Sequence, residues 1–328
     1  WMSAQMGHAA WDGFFHHDTI FPLFLFIAGI SFPFSLAKQR EKGVRERSIY
    51  TKVIRRGLTL VALGLVYNGL FNLDFATLRL PSVLGRIGLA WMFAAMLFIR
   101  CGIRTRIALA AVILVGYGLL LQFVAAPDAA GAGPLTEAGN IVGYIDRTIM
   151  PAHLYGNRGF DPEGLLSTLP AIVTAMLGMF TGEFVRRSEE QISGSRKALR
   201  MAAGAALLLV LALCLDPLQP VNKKLWTPAF VFAAGAYSLG MFALFYYIID
   251  VRQWRRWSYF FQVIGLNSIT IYMVQRIVRV SYTSEFFFGG LGSKFSPEVA
   301  SVIFPAGYIT VCWLLLWFLD RKKIYLKV

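Results

Sequence analysis

The chain has 328 residues, of which 57% are hydrophobic and 15% charged, and its formal net charge is +14. Soluble globular domains carry about 25% charged residues, so this composition excludes an ordinary soluble protein. The basic surplus does not require nucleic acid as a partner, because Lys and Arg collect at the cytoplasmic rim of membrane proteins.

Nine apolar segments, each close to the length of a bilayer-spanning helix, follow one another along the sequence. They cover residues 18–37, 53–72, 83–100, 106–126, 164–185, 198–216, 228–249, 259–278 and 299–319. The predicted fold class is an all-α, polytopic membrane helical bundle. We predict a single domain over residues 1–328, with the long outer loop 127–163 contributing to its site.

Basic residues alternate between rich and poor loops along these nine spans. Loops 38–56, 100–106, 186–200, 251–258 and 320–328 hold 23 of the 32 Lys and Arg residues, and basic loops stay in the cytoplasm. The alternation predicts a cytoplasmic C-terminus and places Trp1 outside. A chain that starts outside without a signal peptide predicts at least one upstream helix that this sequence lacks.

The segment before the first span carries His8, Asp12 and Asp18, an imidazole and two carboxylates beside an apolar helix. Ionisable groups at a bilayer boundary are costly unless they have a use, so this cluster is a candidate functional site. The adjacent His16 and His17 would point about 100° apart on a helix. The three cysteines lack paired spacing, so we predict no metal site and no disulfide.

The end of the long outer loop contains Asp161, Pro162 and Glu163 directly before an apolar run. This order is typical of a helix start, with Asp161 as the N-cap, Pro162 as the first helical residue and Glu163 at the positive end of the helix dipole. The alternative is that both carboxylates bind a substrate.

Another outer loop, residues 220–228, combines Asn222, Lys223 and Trp226. Such a set suits a sugar, because the polar groups can bond its hydroxyls and the indole can stack on its ring. An aromatic anchor at the membrane interface is the alternative for Trp226.

Three polar residues inside or beside the spans can be interpreted either as structural residues or as parts of a site. Arg86 lies near the outer start of the third span, and Asn267 and Ser268 lie near the middle of the eighth. A buried Asn either joins helices or belongs to a site. The basic cluster 38–56 determines topology, and it could also bind an anionic cofactor from the cytoplasm.

Taken together, these residues resemble the family of heparan-α-glucosaminide N-acetyltransferase and its bacterial relatives. The resemblance rests on five blocks in the family's order, Gly7-His8-Ala9-Ala10-Trp11-Asp12-Gly13 with Asp18-Thr19-Ile20-Phe21-Pro22, Val83-Leu84-Gly85-Arg86-Ile87, Phe160-Asp161-Pro162-Glu163-Gly164, Pro220-Val221-Asn222-Lys223-Lys224-Leu225-Trp226 and Gly265-Leu266-Asn267-Ser268.

The resemblance implies a polytopic enzyme of the bacterial inner membrane that moves acetyl from cytoplasmic acetyl-CoA to the amino group of a glucosamine on the outer face. His8 matches the family's catalytic histidine. The chain departs from the family at Asp12, where the lysosomal enzyme has Asn, and it lacks the first helix with its Leu-Asp-x-x-Arg-Gly motif. The expected partners are an amino sugar or oligosaccharide and the lipid bilayer, not nucleic acid; monomer and homodimer stay open.

The mechanism assigns a role to each candidate residue. Neutral imidazole, with an unperturbed pKa of about 6.5, suits deprotonation of a sugar ammonium. A carboxylate can hold the imidazole in one tautomer, and an amide can donate a hydrogen bond to the thioester oxyanion. An acetyl-histidine intermediate is the alternative route. The predicted catalytic residues are His8, Asp18 and Asn267; the substrate-binding residues are Trp11, Asp12, Arg86, Asp161, Glu163, Asn222, Lys223 and Trp226; the acetyl-CoA-binding residues are Arg55, Arg56 and Ser268.

A transporter of a small polar solute is the alternative function from another class. The mid-membrane Asn267 and the Gly- and Pro-containing spans favour it, but the hydropathy pattern shows no inverted repeat. A structural membrane scaffold would leave the outer His, Asp and Trp residues without a use.

Overall fold

The computed structural model describes residues 5–157 and 159–326, and its regular elements are helices. Trp1, which is predicted to lie outside, and the last residue, which is predicted to lie in the cytoplasm, are not among the described residues. The α-helices of the described chain are α1 Ile20–Glu41, α2 Glu46–Tyr67, α3 Val83–Arg100, α4 Ile103–Phe123, α5 Ile141–Ile149, α6 Thr168–Val185, α7 Gly194–Leu215, α8 Pro228–Tyr246, α9 Tyr259–Leu266, α10 Ser268–Ile277, α11 Val280–Gly292 and α12 Pro297–Arg321.

The structure supports a helical membrane bundle and corrects the number of spans. Within the described residues, seven helical segments are long and apolar enough to cross a membrane, not nine. They are α1 with the 3-10 turn before it, α3, α4, α6, α7, α8 with the π-turn after it, and α12.

The predicted span 53–72 is not among them because α2 is half basic. Its first half carries Arg47, Lys52, Arg55 and Arg56. The apolar part from Gly57 to Tyr67 is roughly 16 Å long at 1.5 Å per residue, about half of the hydrocarbon thickness.

The predicted span 259–278 is interrupted at Asn267. Its backbone there (φ −122°, ψ 24°) is not helical, and α9 ends before it while α10 begins after it. The side chain is buried and accepts a hydrogen bond from Thr270 Oγ1 (3.3 Å). Local bonding of this kind competes with helix continuation, which explains the break.

The described helices form two compact units, the first ending at Val251 and the second beginning at Arg252. In the first unit, α1 packs against α6, α6 against α3, α2 against α3, and α7 against α8. In the second unit, α11 and α9 pack against α12, where Phe260 stacks on Trp313. The assignment of one domain to the whole chain stays a prediction.

Glycines bring α1 and α6 into close contact. A Cβ on Gly178 would overlap the carbonyl oxygen of Phe26, and one on Gly29 would overlap that of Ala175. Small residues at helix interfaces let backbones approach, which is how membrane helices gain packing energy without a hydrophobic driving force. This contact sets the position of α1, and the 3-10 turn just before α1 carries Asp18 of the candidate site.

Gly178→Ala should therefore destabilise the protein although alanine is the better helix former. We expect a loss of about 1–3 kcal/mol from overpacking, seen as a lower unfolding temperature of the detergent-solubilised protein. The control is Gly116→Ala on α4, where a Cβ meets open space; it should leave the unfolding temperature unchanged or raise it. Equal behaviour of the two variants would contradict close packing of α1 and α6.

Candidate active site

His8 and Asp18 form a hydrogen-bonded pair at the start of α1. His8 Nδ1 lies 2.7 Å from Asp18 Oδ1. The Asp18 side chain is 1% exposed, whereas the His8 side chain is 53% exposed. A buried carboxylate thus holds an imidazole whose other side is open, which is the arrangement of an oriented acid–base group.

Backbone groups fix the carboxylate that orients His8. The amides of Ala9 (3.3 Å) and Phe15 (3.2 Å) donate to Asp18 Oδ2, in and around the 3-10 turn His16–Thr19. Because the ionised carboxylate only accepts, we assign the proton of neutral His8 to Nδ1. Its Nε2 then keeps a free lone pair for a substrate.

Lys223 lies against this pair. Its Nζ is 3.4 Å from Asp18 Oδ1 and 3.2 Å from His8 Nδ1. Burial lowers the pKa of Lys223, and the Asp18 charge partly offsets that effect. The sequence predicts a sugar contact for Lys223, and the structure places its ammonium against His8 Nδ1 and the Asp18 carboxylate. His17, which sequence reasoning missed, meets the His8 ring edge-on at 4.4 Å between centroids.

The loop 220–227 is clamped to the segment that carries His8. Asn222 Nδ2 donates to Asp12 Oδ1 (3.0 Å), and the Gly13 amide donates to the Val221 carbonyl (2.8 Å). Lys224 Nζ bonds the Ala10 carbonyl. The predicted residues Asp12, Asn222 and Lys223 are therefore brought together with His8 and Asp18.

Trp11 and Lys224 make a second wall beside this loop. Trp11 Nε1 donates to the Leu135 carbonyl (2.9 Å), and its ring packs edge-on against Phe160 at 5.3 Å. The Lys224 ammonium lies 5.3 Å from the centre of the Trp11 ring. The loop 127–163 thus contacts Trp11 through Leu135 and Phe160, and its contribution to a site stays a prediction.

Trp226 does not lie where a sugar could stack on it. Its side chain is fully buried, with Phe21 and Phe230 edge-on against its ring, and Nε1 donates to Thr174 Oγ1 (3.2 Å). Its backbone has a positive φ of 54°, which turns the side chain inward. The indole therefore forms core at the base of the loop.

Arg86 is also buried, 2% exposed, with its guanidinium 5.0 Å from the centre of the Trp226 ring. Its Nη2 donates to Ser167 Oγ and to the Gly164 carbonyl. Its Nε and Nη1 have no hydrogen-bond partner within the described chain. Arg86 thus joins the start of α3 to the segment before α6, beneath the surface of the site.

Asp161 and Glu163 are held by an arginine that the sequence did not single out. Arg79 Nε and Nη2 bond both oxygens of Asp161 (2.8 and 2.6 Å), and Nη2 also bonds Glu163. Burial opposes the charge of Arg79, but the bond to Asp161 raises its pKa. Asp161 also accepts from the amides of Tyr155 and Glu163 (2.9 Å each).

These bonds correct the predicted helix start at Pro162. Asp161 stabilises a turn rather than a helix, and α6 begins at Thr168. Asp161 is fully buried, so its carboxylate is occupied by Arg79 and backbone amides. Glu163 acts on the site through its negative charge, which favours the charged form of Lys223.

Asp146 is a further buried carboxylate that sequence reasoning missed. It is fully buried on α5 and accepts from the amides of Leu165 (3.0 Å) and Asp161 (3.3 Å). Burial raises the pKa of Asp146 to about 6. The signal available in the sequence was its position in a short amphipathic helix that starts at the N-cap Asn140.

The remaining candidates lie elsewhere. On α2, Arg55 lines a shallow cavity of about 530 Å³ with Thr51 and Thr59, and the Arg56 guanidinium lies 4.3 Å from the centre of the Trp91 ring. Asn267 and Ser268 belong to the second unit, and Asn267 Nδ2 has no hydrogen-bond partner among the described residues. Their roles stay predictions. Over residues 5–157 and 159–326, no group of three His, Cys, Asp or Glu side chains could hold a metal.

Comparison with known proteins connects this geometry to a family. The family model described as heparan-alpha-glucosaminide N-acetyltransferase, catalytic, matches residues 2–212. The heparan-alpha-glucosaminide N-acetyltransferases of Homo sapiens and Mus musculus are 24% and 23% identical over 98% of this chain. The alignments cover 55% and 56% of those proteins, so the chain spans a little over half their length.

The raised pKa of Asp146 predicts a pH-dependent stability. Between the ordinary value of 3.8 and about 6 the folded state binds more protons than the unfolded state, so stability should fall as pH rises through that window, by at most roughly 2–3 kcal/mol. We expect Asp146→Asn to unfold at a lower temperature than wild type at pH 4.5, since it loses one acceptor, but to lose less between pH 4.5 and 7. Parallel curves of unfolding temperature against pH would contradict this.

Proposed function

Because the chain belongs to the heparan-alpha-glucosaminide N-acetyltransferase family, we propose that it is a membrane acetyltransferase. It moves the acetyl group of acetyl-CoA, its co-substrate, to the amino group of a glucosamine-type sugar. The observation that carries the proposal is the pair of half-exposed His8 and buried Asp18, with 2.7 Å between Nδ1 and Oδ1, inside the part of the chain that the family model matches.

The chemistry starts with the acceptor amine. A sugar ammonium has no lone pair, so it must lose a proton before it can attack the thioester carbonyl. His8 Nε2 takes that proton, and Asp18 stabilises the imidazolium through Nδ1–H. The amine nitrogen bonds to the acetyl carbon and releases its second proton to water, the C–S bond breaks, and the leaving CoA sulfur receives the proton held by His8. Transfer through acetyl-His8 is the second route the pair allows.

Lys223 supports this role by its charge. It shares Asp18 with His8, so the three groups together carry no net charge when the imidazole is neutral. The Lys223 ammonium thereby balances the charge of the Asp18 carboxylate. Asp12, held by Asn222, is exposed nearby and can attract the acceptor's ammonium.

The loops that meet at His8 support a proposed orientation of the first unit in the membrane. The segment before α1, the loop after α4 and the loop after α7 contact one another through Trp11, Leu135 and Lys223. These loops are poor in basic residues, whereas the loops at the opposite helix ends are rich in them. We therefore place the His8 site on the outer face and the basic α2, with Arg55, towards the cytoplasmic acetyl-CoA.

His8→Ala should abolish acetyl transfer while the protein stays folded. A positioned acid–base group contributes about 10²–10⁴-fold, and we expect Asp18→Asn to lose activity as well because it no longer holds the His8 tautomer. The assay is acetyl-CoA-dependent thiol release together with acetylated glucosamine, with unfolding temperature as the folding check. His153→Ala, in the outer loop away from the pair, is the control. Residual His8→Ala activity within about tenfold of wild type would remove His8 from the chemistry.

The proposed orientation is tested separately in sealed vesicles with one protein orientation. Acetyl-CoA should be consumed only when it is supplied on the side of the Lys- and Arg-rich loops, because its phosphates favour that rim. Glucosamine should be acetylated only on the other side. Use of both substrates on one face would refute transfer across the membrane and leave the His8 chemistry intact.

A further inference from the structure

A second imidazole, that of His17, lies against the ring of His8. The two rings meet edge-on, with 4.4 Å between their centres and 71° between their planes. His17 is held there by the 3-10 turn His16–Thr19, which also carries Asp18. The proposed acetyl transfer uses His8 and Asp18 but gives His17 no role, although its partly buried ring adjoins the half-exposed ring of His8.

The ring nitrogens of His17 are available to a ligand. Neither nitrogen takes part in a hydrogen bond or ion pair with another of the described residues. Neither is a fully covered polar atom, so a ligand can reach both of them. The neighbouring His16 differs, because its Nδ1 lies 3.4 Å from the Tyr237 hydroxyl on α8. The same turn therefore directs one histidine to a helix and leaves the other open beside His8.

The surroundings of His17 favour a neutral polar group of the ligand. The adjoining His8 bonds Asp18 through Nδ1, and the Asp18 charge is balanced by Lys223, so no added anion is needed. A hydrocarbon group would leave the nitrogens of His17 without partners. A neutral imidazole has one N–H donor and one lone pair, and a hydroxyl group can use either of them.

The contact between the two rings determines which hydroxyl His17 can reach. In the proposed reaction the acceptor amine bonds His8 Nε2 at a hydrogen-bond distance of about 3 Å. Since the His17 ring touches the His8 ring, substituents on the carbon atoms next to the amine come within hydrogen-bond reach of His17. In a 2-amino sugar one of these neighbours is the hydroxyl on C3.

We propose that His17 binds the hydroxyl group adjacent to the reacting amine, so that His8 and His17 together select a vicinal amino alcohol as acceptor. His17 is then a specificity-determining residue that touches the substrate, and His8 remains the acid–base group. This inference rests on the proposed acetyl transfer and narrows its acceptor to sugars with a hydroxyl on the carbon next to the amine.

The test compares methyl glucosaminide with its 3-deoxy analogue as acceptors for the full chain in lipid nanodiscs. The glycosidic methyl group leaves the C3 hydroxyl as the only hydroxyl next to the amine. Wild type should favour methyl glucosaminide by about fivefold in kcat/KM, the usual net effect of one neutral hydrogen bond. His17→Phe keeps an aromatic ring against His8 but removes both nitrogens, so it should use the two compounds equally.

Two further variants separate hydrogen bonding from packing. His17→Asn loses the ring but keeps a donor and an acceptor, so it should retain part of the preference. His16→Phe is the matched control, since His16 is an exposed histidine of the same turn that faces Tyr237, and it should keep the full preference. Equal use of the two acceptors by wild type, or an unchanged preference in His17→Phe, would overturn the proposal and leave His17 a packing residue.

A binding measurement separates this inference from the acetyl transfer. Without acetyl-CoA, methyl glucosaminide should raise the unfolding temperature of wild type more than its 3-deoxy analogue does, and His17→Phe should respond equally to both. If this pattern holds while neither compound is acetylated, the proposed function fails and the hydroxyl site stands. If both compounds are acetylated but the preference is absent, the acetyl transfer stands and the role of His17 fails.

Discussion

The buried carboxylate of Asp18 is the group on which the candidate site depends. A charge at the edge of a membrane-spanning helix is tolerated only when it is well solvated by the protein, and four donors surround it: His8, Lys223 and the amides of Ala9 and Phe15. Satisfying this one charge brings together the segment that carries His8, the 3-10 turn before α1 and the loop before α8. The same contacts orient His8 outward.

A second layer of buried charged residues stabilises the loops next to the candidate site. Arg79, Asp161 and Glu163 lock the end of the long outer loop, and Asp146 bonds the amides that lead into α6. Buried ion pairs of this kind do little for net stability but penalise other arrangements, because each partner would be left unpaired. The layer therefore favours one conformation of the loops over the site, with Trp226 filling the space between Arg86 and the core.

The polar groups of the candidate site lie where the helices end. Close packing of α1 on α6 through Gly29 and Gly178 fixes the helix that follows the His8–Asp18 pair.

Composition and periodicity determined the membrane class and the helical fold, because about 20 apolar residues in a row have few other uses. They did not determine the span count: the basic half of α2 and the break at Asn267 depend on local charge and bonding that a hydropathy window averages away. The sequence also pointed to His8 and Asp18, since ionisable groups beside a span are costly. Only the tertiary structure decided which outer residues meet them. Lys223 joins the pair, whereas Trp226 and Asp161 are buried, because burial and ion pairing depend on partners such as Arg79 that lie more than eighty residues away along the chain.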